Sequence, residues 1–541
     1  MKKSVYKVNI KSVLAVMFAC MLAFLCCFHQ VMGIVNAGTV TSTDYIRVGL
    51  KKAFYGRSSI KINNKSVWIG LSYGNSYTET DKLISNSGFE ITCDRTNFAI
   101  LNGSFDSFDA ALKKAKSVNS IYGLGVIPAL TGLSKDKKGT WKLYIPYTSK
   151  TFAGNTVGVS RVKRTSVYML KVKSDGGTFL CDCENARTNP QFAAGAKNDA
   201  GVGVISLAGS HFRGRIEAGT YGAAAVSAVN VIMFEDYLYG VVPMEMSSSW
   251  PMEALKAQAV ACRSFSVASQ GFGPSGSVKS YPTLNDTTQY QSYGGYDKES
   301  SRSNKAVYET RNTFVSYKNK VVRTYFYSTS GGATEAPEYL WGSKVAYLKS
   351  VPDIYENKPE KAPWTYEFSA SKVASLVSGY GTNLGIVKRI DILKTSPSGR
   401  AVEMRISGTK GSVTLRKGQI RSAFGLPSTK VDVYNPGEDP DFVSAVNNTG
   451  NLSRCTLKGK TLISGKGAKT KISGSDQVAV TGKNNIKGYS LKTVKSGNFL
   501  FVGSGYGHGI GMSQSGARGM AEAGFGYKEI LMHYFTGVEV N

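Results

Sequence analysis

Residues 241–251 read Val-Val-Pro-Met-Glu-Met-Ser-Ser-Ser-Trp-Pro, and they place a carboxylate, that of Glu245, shortly before a strong helix signal. Pro251 suits the first position of a helix, because its fixed φ is already helical and its missing N–H needs no partner there. After it, apolar and small residues recur at steps of three and four from Met252 to Ser266. We therefore predict a closely packed helix from Pro251 onward, with Glu245 on the loop that leads into it.

Glu245 is a candidate general acid. It stands between Met244 and Met246 and near Trp250, and partial desolvation disfavours an ionised carboxylate, which raises its pKa. A raised pKa is what a general acid needs near neutral pH. Glu253 is the competing carboxylate, but its place in the first helical turn suits an interaction with the helix dipole. The alternative for Glu245 is an ordinary surface glutamate, and the spacing alone leaves both possibilities open.

Upstream, residues 41–168 alternate strand-like runs with one helical pattern. A strand at Phe98–Leu101 precedes a turn, an amphipathic helix and a further strand around Tyr144. Asp106 or Ser107 would cap the helix, whose apolar positions are Phe108, Ala111, Leu112, Ala115 and Val118. This unit resembles half of a SPOR-type peptidoglycan-binding module, which implies a wall-binding role for the region.

The remaining segments complete a mixed organisation. Residues 169–210 read as a β-rich connection. Residues 386–426 read as strands and turns closed by a short helix, with the turns at Pro397–Gly399 and Gly408 and the helix at Gln419–Phe424. Residues 435–498 are rich in Gly, Ser and Lys and read either as a small inserted β segment or as a loop. We expect a multi-part α+β protein with a mixed, β-rich core and packed helices.

The chain begins with a segment typical of export. Four lysines precede an apolar run from Val13 to Cys27. Val35-Asn36-Ala37 then resembles the small-residue site that signal peptidase cleaves. We predict a secretory signal peptide over residues 1–37. The alternative is an uncleaved anchor, because Val13–Val35 is long enough to span a bilayer. In both cases we expect the protein in the cell wall or at the outer face of the cytoplasmic membrane.

A basic composition narrows the choice of partners. The 541-residue chain has a net charge of +29, and loss of the four lysines in residues 1–37 leaves +25. Such a charge favours an anionic environment. Export argues against nucleic acid as the anionic partner. The remaining candidate partners are wall teichoic acids, anionic phospholipid head groups and peptidoglycan carboxylates. Beyond residue 37 the chain has five cysteines, and an odd number argues against a complete disulfide framework. It also has only three histidines, so few side chains are available to bind zinc.

Several motifs together resemble the SpoIID/LytB family. Residues 234–265, FEDYLYGVVPMEMSSSWPMEALKAQAVACRSF, carry most of the signature. The other matching segments are Phe212-Arg213-Gly214, Val229-Asn230, Ser328–Glu335 (STSGGATE), Trp341-Gly342, Tyr347–Val351 (YLKSV), Gly505–Ala517 (GYGHGIGMSQSGA) and Tyr534–Gly537 (YFTG). The resemblance implies a catalytic core formed by residues 211–434 and 499–541, with 435–498 as an insertion.

The family resemblance implies cleavage of the MurNAc–GlcNAc bond of peptidoglycan by a single glutamate, here Glu245. Ordinary glycosidases need two carboxylates. A lytic transglycosylase uses the sugar's own C6 hydroxyl, so one carboxyl can protonate the leaving oxygen and then accept the hydroxyl proton. The family also carries an arginine at the position of Arg263, which would orient Glu245 or bind a sugar substituent. The alternative for Arg263 is a structural ion pair.

Further candidate contacts come from the downstream motifs. Ser328, Ser330, Gly331 and Gly332 would offer small polar groups to sugar hydroxyls, with a tight turn as the alternative. The glycines at 503, 505, 507, 509 and 511 recur with a period of two, which predicts a strand with one side-chain-free face. Such a face allows a sugar or another backbone to approach closely. His508 and Gln514 are then candidate substrate contacts.

One departure from the sporulation-type enzymes concerns zinc. Their zinc site uses a His-Cys pair, which falls on Gln289 and Tyr290 in the segment Asp286–Tyr293, and neither residue is a usual zinc ligand. We therefore predict no metal and no other cofactor, and a closer kinship with the LytB-like branch. That branch includes enhancers of a cell-wall amidase. A non-catalytic wall-binding enhancer is thus the alternative to a lytic transglycosylase in sporulation or cell-wall remodelling.

Overall fold

The computed structural model describes residues 35–36 and 45–541, apart from the segments 74–75, 134–138, 148–158, 164–168, 184–187, 195–202, 222–223, 270–280, 283, 357–362, 382, 439–441, 447–451, 457–460, 464–468, 472–477, 483–484 and 490–496. The chain divides into two units. The first comprises the chain up to Thr324 together with Gly526–Leu531 and Val538–Asn541, and the second comprises Tyr325–Phe525 and Met532–Gly537. The boundary after Thr324 falls inside the predicted core, whose extent stays a prediction.

Ten strands of the first unit form its largest sheet, in the order β10-β7-β9-β8-β12-β11-β6-β3-β14-β15. These are β3 (Ser59–Ile62), β6 (Phe89–Asp94), β7 (Phe98–Leu101), β8 (Ile127–Leu133), β9 (Gly139–Pro146), β10 (Val159–Lys163), β11 (Met169–Ser174), β12 (Gly177–Cys181), β14 (Val204–Leu207) and β15 (Ser210–Arg213). Helix α1 (Phe108–Tyr122) packs on β8 and β9, and the Ser107 side chain accepts a hydrogen bond from the Ala110 N–H at its start. The predicted helix and its cap are confirmed, while a SPOR-type role stays a prediction.

A six-stranded sheet leads directly to the helices of the first unit. Its order is β2-β17-β16-β13-β4-β5, with β2 (Tyr45–Gly49), β4 (Ser66–Tyr73), β5 (Ser76–Ile84), β13 (Gln191–Ala193), β16 (Arg215–Gly219) and β17 (Ser227–Met233). Helix α2 (Phe234–Glu245) begins at the residue after β17, and α3 (Met252–Ser269) and α4 (Ser301–Glu309) pack against it. The Leu255 N–H donates to the Pro251 carbonyl, so α3 starts where the sequence predicts.

The last strand of the chain completes a small sheet of the first unit. The order is β1-β19-β18-β34, with β1 (Val35–Asn36), β18 (Val315–Tyr317), β19 (Lys320–Val321) and β34 (Glu539–Val540). Beside the β18–β34 pair, the Phe314 N–H donates to the Asn541 carbonyl at 2.6 Å, and the Asn541 N–H donates back at 3.1 Å. Residues from both ends of the described chain therefore belong to the first unit.

The second unit consists of small sheets around an apolar core. The sheets are β21-β32-β25, β22-β23-β24 and a parallel β20–β33 pair, with β20 (Phe326–Tyr327), β21 (Trp364–Ser369), β22 (Val387–Thr395), β23 (Ala401–Gly408), β24 (Gly411–Arg416), β25 (Val431–Tyr434), β32 (Asn498–Gly503) and β33 (Met512–Ser513). The helices of this unit are α5 (Pro337–Leu340), α6 (Ala370–Val377), α7 (Gly418–Phe424) and α8 (Gln514–Glu522), with a short 3₁₀ turn at Ser378–Tyr380. Helix α9 (Tyr527–Tyr534) has residues in both units, and the 3₁₀ turn at Tyr296–Lys298 belongs to the first. The predicted strands, turns and closing helix of residues 386–426 are confirmed.

Residues 435–498 contain three antiparallel strand pairs. These are β26 (Phe442–Val446) with β27 (Leu452–Thr456), β28 (Thr461–Ile463) with β29 (Lys469–Lys471), and β30 (Val478–Gly482) with β31 (Asn485–Tyr489). Helices and sheets throughout both units confirm the predicted α+β class. Apart from the strand at Val35–Asn36, the predicted signal peptide lies outside the described residues. Among the helices described, none combines the length and apolar character that crossing a membrane requires.

Candidate functional site

Glu245 is the last residue of helix α2, so the prediction that it lies on a loop is wrong. The expectation rested on Pro251 as the start of the next helix, with the residues before it read as a connecting loop. Pro243 sits in the final turn, where α2 tolerates it, and the Met246 N–H closes that turn by donating to the Val242 carbonyl at 2.9 Å. A helix that is largely buried therefore holds the Glu245 backbone.

The Glu245 carboxyl is partly withdrawn from solvent and has a defined hydrogen-bond donor. The Ser292 N–H donates to Glu245 Oε1 at 2.6 Å. Burial raises the pKa of Glu245, while hydrogen bonds from Ser292 and the charge of Lys52 act in the opposite direction without cancelling it. Met246 and Trp250 are buried, as a dry setting requires, whereas Met244 is exposed. The carboxyl thus has the raised pKa that a general acid needs, although its catalytic role stays a prediction.

Ser292 is positioned by its two neighbours, which are anchored to the sheet and helices of the same unit. The Gln291 side chain donates to the Cys262 carbonyl of α3 at 3.1 Å. The Tyr293 hydroxyl donates to Asn230 Oδ1 of β17 at 2.7 Å. A partner 47 residues away in sequence gives no local signal, so the sequence alone does not connect Ser292 with Glu245.

Lys52 is a second group that the sequence analysis missed. It follows strand β2, and its backbone N–H donates to Asp286 Oδ1 at 3.0 Å. Asp286 is itself buried, and burial raises its pKa. The contact ties the turn after β2 to the segment that carries Ser292. Lys52 therefore stands close enough for its charge to act on the Glu245 carboxyl.

Arg263 makes a buried ion pair instead of facing a substrate. Its side chain is fully buried, and Nε and Nη2 donate to the two carboxylate oxygens of Glu235 at 2.8 Å each. Nη2 also donates to the Val307 carbonyl at 3.1 Å, and Nη1 donates to Thr310 Oγ1 and the Thr313 carbonyl at 3.4 and 3.3 Å. Every N–H of the guanidinium is used within the fold. Of the two roles left open by the sequence, we assign the structural ion pair to Arg263.

The other six predicted contacts belong to the second unit, where Ser328–Gly332 form the tight turn named as the alternative. Gly331 and Gly332 have φ values of 72° and 111°, which favour glycine. The N–H groups of Ser330 and Gly331 both donate to the Glu356 carboxylate at 2.7 Å, and Ser330 Oγ donates to it at 2.8 Å. The Ser330 hydroxyl in turn accepts the Gly332 N–H at 2.9 Å. These polar groups are directed at Glu356, so they are poorly placed to bind sugar hydroxyls.

The glycine run does not form the predicted strand. Only Gly503 belongs to β32, and Gly505, Gly507, Gly509 and Gly511 have φ values of 76°, 118°, 85° and 81°. A period of two suggested a strand, but these φ values lie in the left-handed region, which no strand adopts. A side chain on Gly509 would also place its Cβ 2.8 Å from the guanidinium carbon of Arg400. The glycines serve an irregular loop against which other parts of the unit pack closely.

His508 is held within this loop as a neutral ring. Burial and the nearby Arg421 and Arg400 lower the pKa of His508 to about 4. The Ile510 N–H donates to His508 Nδ1 at 3.1 Å, which leaves the ring proton on Nε2. Gln514, the first residue of α8, is buried. His508 is partly exposed, and its ring also hydrogen-bonds to the Phe326 backbone, whereas burial of Gln514 weakens its candidacy as a substrate contact.

The sequence led us to expect no metal ligands at Gln289 and Tyr290. Within the described part of the chain, no group of three or more His, Cys, Asp or Glu side chains is arranged to hold a metal ion. Cys93, Cys181, Cys183 and Cys262 are free thiols. The absence of a metal from the reaction stays a prediction.

Comparison with known proteins gives two family matches and several relatives. The model of the stage II sporulation protein family (SpoIID) matches residues 223–317, and a domain of unknown function matches residues 344–462. An uncharacterised protein of Brachyspira hyodysenteriae is 30% identical over 313 residues, which cover 58% of this chain and 67% of the relative. The amidase enhancer of Bacillus subtilis is 29% identical over 71% of this chain, and the match spans only 53% of that protein. Stage II sporulation protein D of Bacillus amyloliquefaciens is 27% identical over 58% of this chain and 76% of its own length.

Proposed function

Because this chain belongs to the SpoIID/LytB family, we propose that it is an exported, peptidoglycan-active protein that cleaves glycan strands as a lytic transglycosylase, with Glu245 as acid and base. The observation that carries the proposal is the Glu245 carboxyl itself. It is partly buried, it is held by the Ser292 N–H, and burial raises its pKa. Glu245 and Ser292 both lie within the residues that match the family model. A role in sporulation or cell-wall remodelling follows from the same relatives.

The proposed reaction needs one carboxyl. Protonated Glu245 gives its proton to the oxygen between MurNAc and GlcNAc, and the bond from that oxygen to C1 of MurNAc breaks. The C6 hydroxyl of the same MurNAc attacks C1, and its proton returns to the Glu245 carboxylate. The products are a 1,6-anhydro-MurNAc end and a free GlcNAc hydroxyl. Ser292 contributes orientation, because a carboxyl fixed at one oxygen loses little freedom when the sugar binds.

Product analysis tests this proposal. The purified protein is incubated with glycan strands freed of stem peptides, and mass spectrometry counts 1,6-anhydro ends. Glu245→Gln should slow their formation by about 10² or more, the usual contribution of a general acid. Glu253→Gln is the matched control. Glu253 accepts the Tyr527 N–H at 2.9 Å and pairs with Lys256 at 3.0 Å, so this variant should retain the rate. An undiminished rate in Glu245→Gln removes the assignment.

A second function has its own support. The B. subtilis relative is named an amidase enhancer, and the chain carries a net charge of +29 suited to anionic wall polymers. In this alternative the protein binds the wall, without cleaving it, and stimulates a cell-wall amidase. The Glu245→Gln protein would then stimulate the amidase as fully as the unchanged protein does. Loss of stimulation on that one substitution would argue for the transglycosylase.

A further inference from the structure

An aromatic surface surrounds His508 in the second unit. The ring of Trp341 lies 4.6 Å from that of Tyr325 and 5.7 Å from that of His508. Trp341 directly follows helix α5, and its backbone N–H donates to the Pro337 carbonyl at 2.6 Å. Although other rings support the indole, it remains 46% exposed, and Tyr506 is 39% exposed. A fixed, half-exposed indole offers a flat apolar face on which the C–H groups of a sugar ring can stack.

Two cationic side chains border this surface. Lys417 directly precedes helix α7, and Arg421 follows one turn later on the same side of the helix. The Lys417 ammonium lies 3.3 Å from the point where a Cβ on Gly342, next to Trp341, would stand. Arg421 is close enough to His508 for its charge to lower the pKa of that ring. Helix α7 itself is anchored in the core through Ile420, Ala423 and Phe424.

The positive charge at this surface lacks a counter-ion. Among the described residues, no carboxylate oxygen lies within 4.0 Å of a nitrogen of Arg421, Lys417 or Arg400. Arg400 is 1% exposed, and its Nε and Nη1 have no hydrogen-bond acceptor among those residues. Burial and the charge of Arg400 lower the pKa of Arg421, while Tyr506 acts in the opposite direction. Both arginines bond to backbone carbonyls, Arg421 Nε to that of Leu426 at 3.1 Å and Arg400 Nη2 to those of Ser330 and Ala333 at 2.7 and 3.4 Å. An anionic ligand would supply the counter-charge that these carbonyls do not provide.

We infer that Trp341, Tyr506, His508, Lys417 and Arg421 form a binding platform for a pyranose sugar that carries a carboxylate. A sugar ring would stack on Trp341, and the carboxylate would meet the guanidinium fork of Arg421, whose geometry suits two parallel hydrogen bonds. His508 is neutral, and its ring supports the indole of Trp341 from 5.7 Å away. The identification of this sugar as the muramic acid of a glycan strand rests on the proposed function.

Binding of soluble glycan strands, measured by titration calorimetry on the full chain, tests the platform. All proteins carry Glu245→Gln so that strands stay intact. Trp341→Ala and Arg421→Gln should each raise Kd about tenfold, because each removes a contact worth one decade of affinity. The matched controls are Tyr366→Ala and Arg405→Gln, since Tyr366 is a similarly exposed aromatic and Arg405 an exposed arginine of the same unit. Both controls should bind as tightly as the parent, and circular dichroism should show all variants folded.

Chemical amidation of the strand carboxylates separates charge from stacking. Amidated strands should bind the parent about tenfold more weakly, and Arg421→Gln should then have no further effect while Trp341→Ala still does. Equal binding of both strand types, or an unchanged Kd in folded Trp341→Ala, overturns the inference. Tighter binding of poly(glycerol phosphate) than of strands, with the same dependence on Arg421, overturns it too. Binding is measured without turnover, so failure here leaves the Glu245 cleavage assay standing, and failure of cleavage leaves the binding result standing.

Discussion

The buried pair of Arg263 and Glu235 gives a quantitative test of the assignment of Arg263 to structure. Arg263→Met removes a guanidinium that makes two 2.8 Å hydrogen bonds to Glu235, which is 1% exposed. The Glu235 carboxylate is left buried and unpaired, and such losses cost about 3–5 kcal/mol in other proteins. A whole domain is commonly stable by only about 5–15 kcal/mol. The free energy of unfolding of the first unit should therefore fall by a large fraction.

Urea unfolding followed by circular dichroism measures this loss. The double variant Glu235→Gln with Arg263→Met removes both charges and should recover most of the stability, because neutral groups of similar volume replace buried pairs well. Arg302→Met is the control, since Arg302 donates only to backbone carbonyls, those of Ser248 and Trp250, at 2.9 Å. An unfolding midpoint of Arg263→Met equal to that of the control would refute the reasoning. A stable double variant that had lost glycan cleavage would return Arg263 to the catalytic site.

Three further outcomes are expected. Gly509→Ala should lower the free energy of unfolding by about 2–4 kcal/mol in thermal unfolding, because the cost of a positive φ and the cost of a clash with Arg400 add together. The control is Gly437→Ala, at a φ of 84° with open space around it, which should lower the free energy of unfolding by the cost of the φ alone, about 1 kcal/mol. Equal losses in the two variants would contradict the clash. The cleavage rate should fall as pH rises through the raised pKa of Glu245. Ser292→Ala keeps the backbone N–H bond but removes the hydrogen bond from the Ser292 side chain to the carboxylate, so it should move that descending limb to higher pH. Incubation with a zinc chelator should leave cleavage unchanged, and activity restored by zinc alone would overturn the prediction of a metal-free site.

Local patterns in the sequence were sufficient where neighbours along the chain determine the structure. The helix after Pro251 and the helix capped by Ser107 were both predicted from spacing, because helical contacts join residues three or four apart. The raised pKa of Glu245 was also anticipated from its apolar neighbours. The helix that ends at Glu245 was not predicted, since only the helix start at Pro251 was inferred from this stretch.

Long-range partners explain the remaining differences. The Ser330–Gly331 turn is organised by Glu356, which lies in no recognisable motif, and the sequence offered no reason to connect them. The glycine run looked like a strand because its period is two, but φ depends on the surrounding fold. In the same way, Glu245 gained its donor from Ser292 through contacts that only the folded chain reveals. Motifs thus located the candidate carboxyl, and tertiary structure determined which groups act on it.

The pairing of β18 with β34 has a consequence for how the protein is made. A ribosome synthesises β18 before the whole second unit and β34 after it. Until then β18 exposes one edge with unpaired N–H and C=O groups, which are a template for association with another chain. A nascent or truncated product that stops before Glu539 is therefore prone to self-association. For recombinant expression, a purification tag fused directly behind Asn541 would begin on a residue already hydrogen-bonded to Phe314, so a flexible spacer is advisable there.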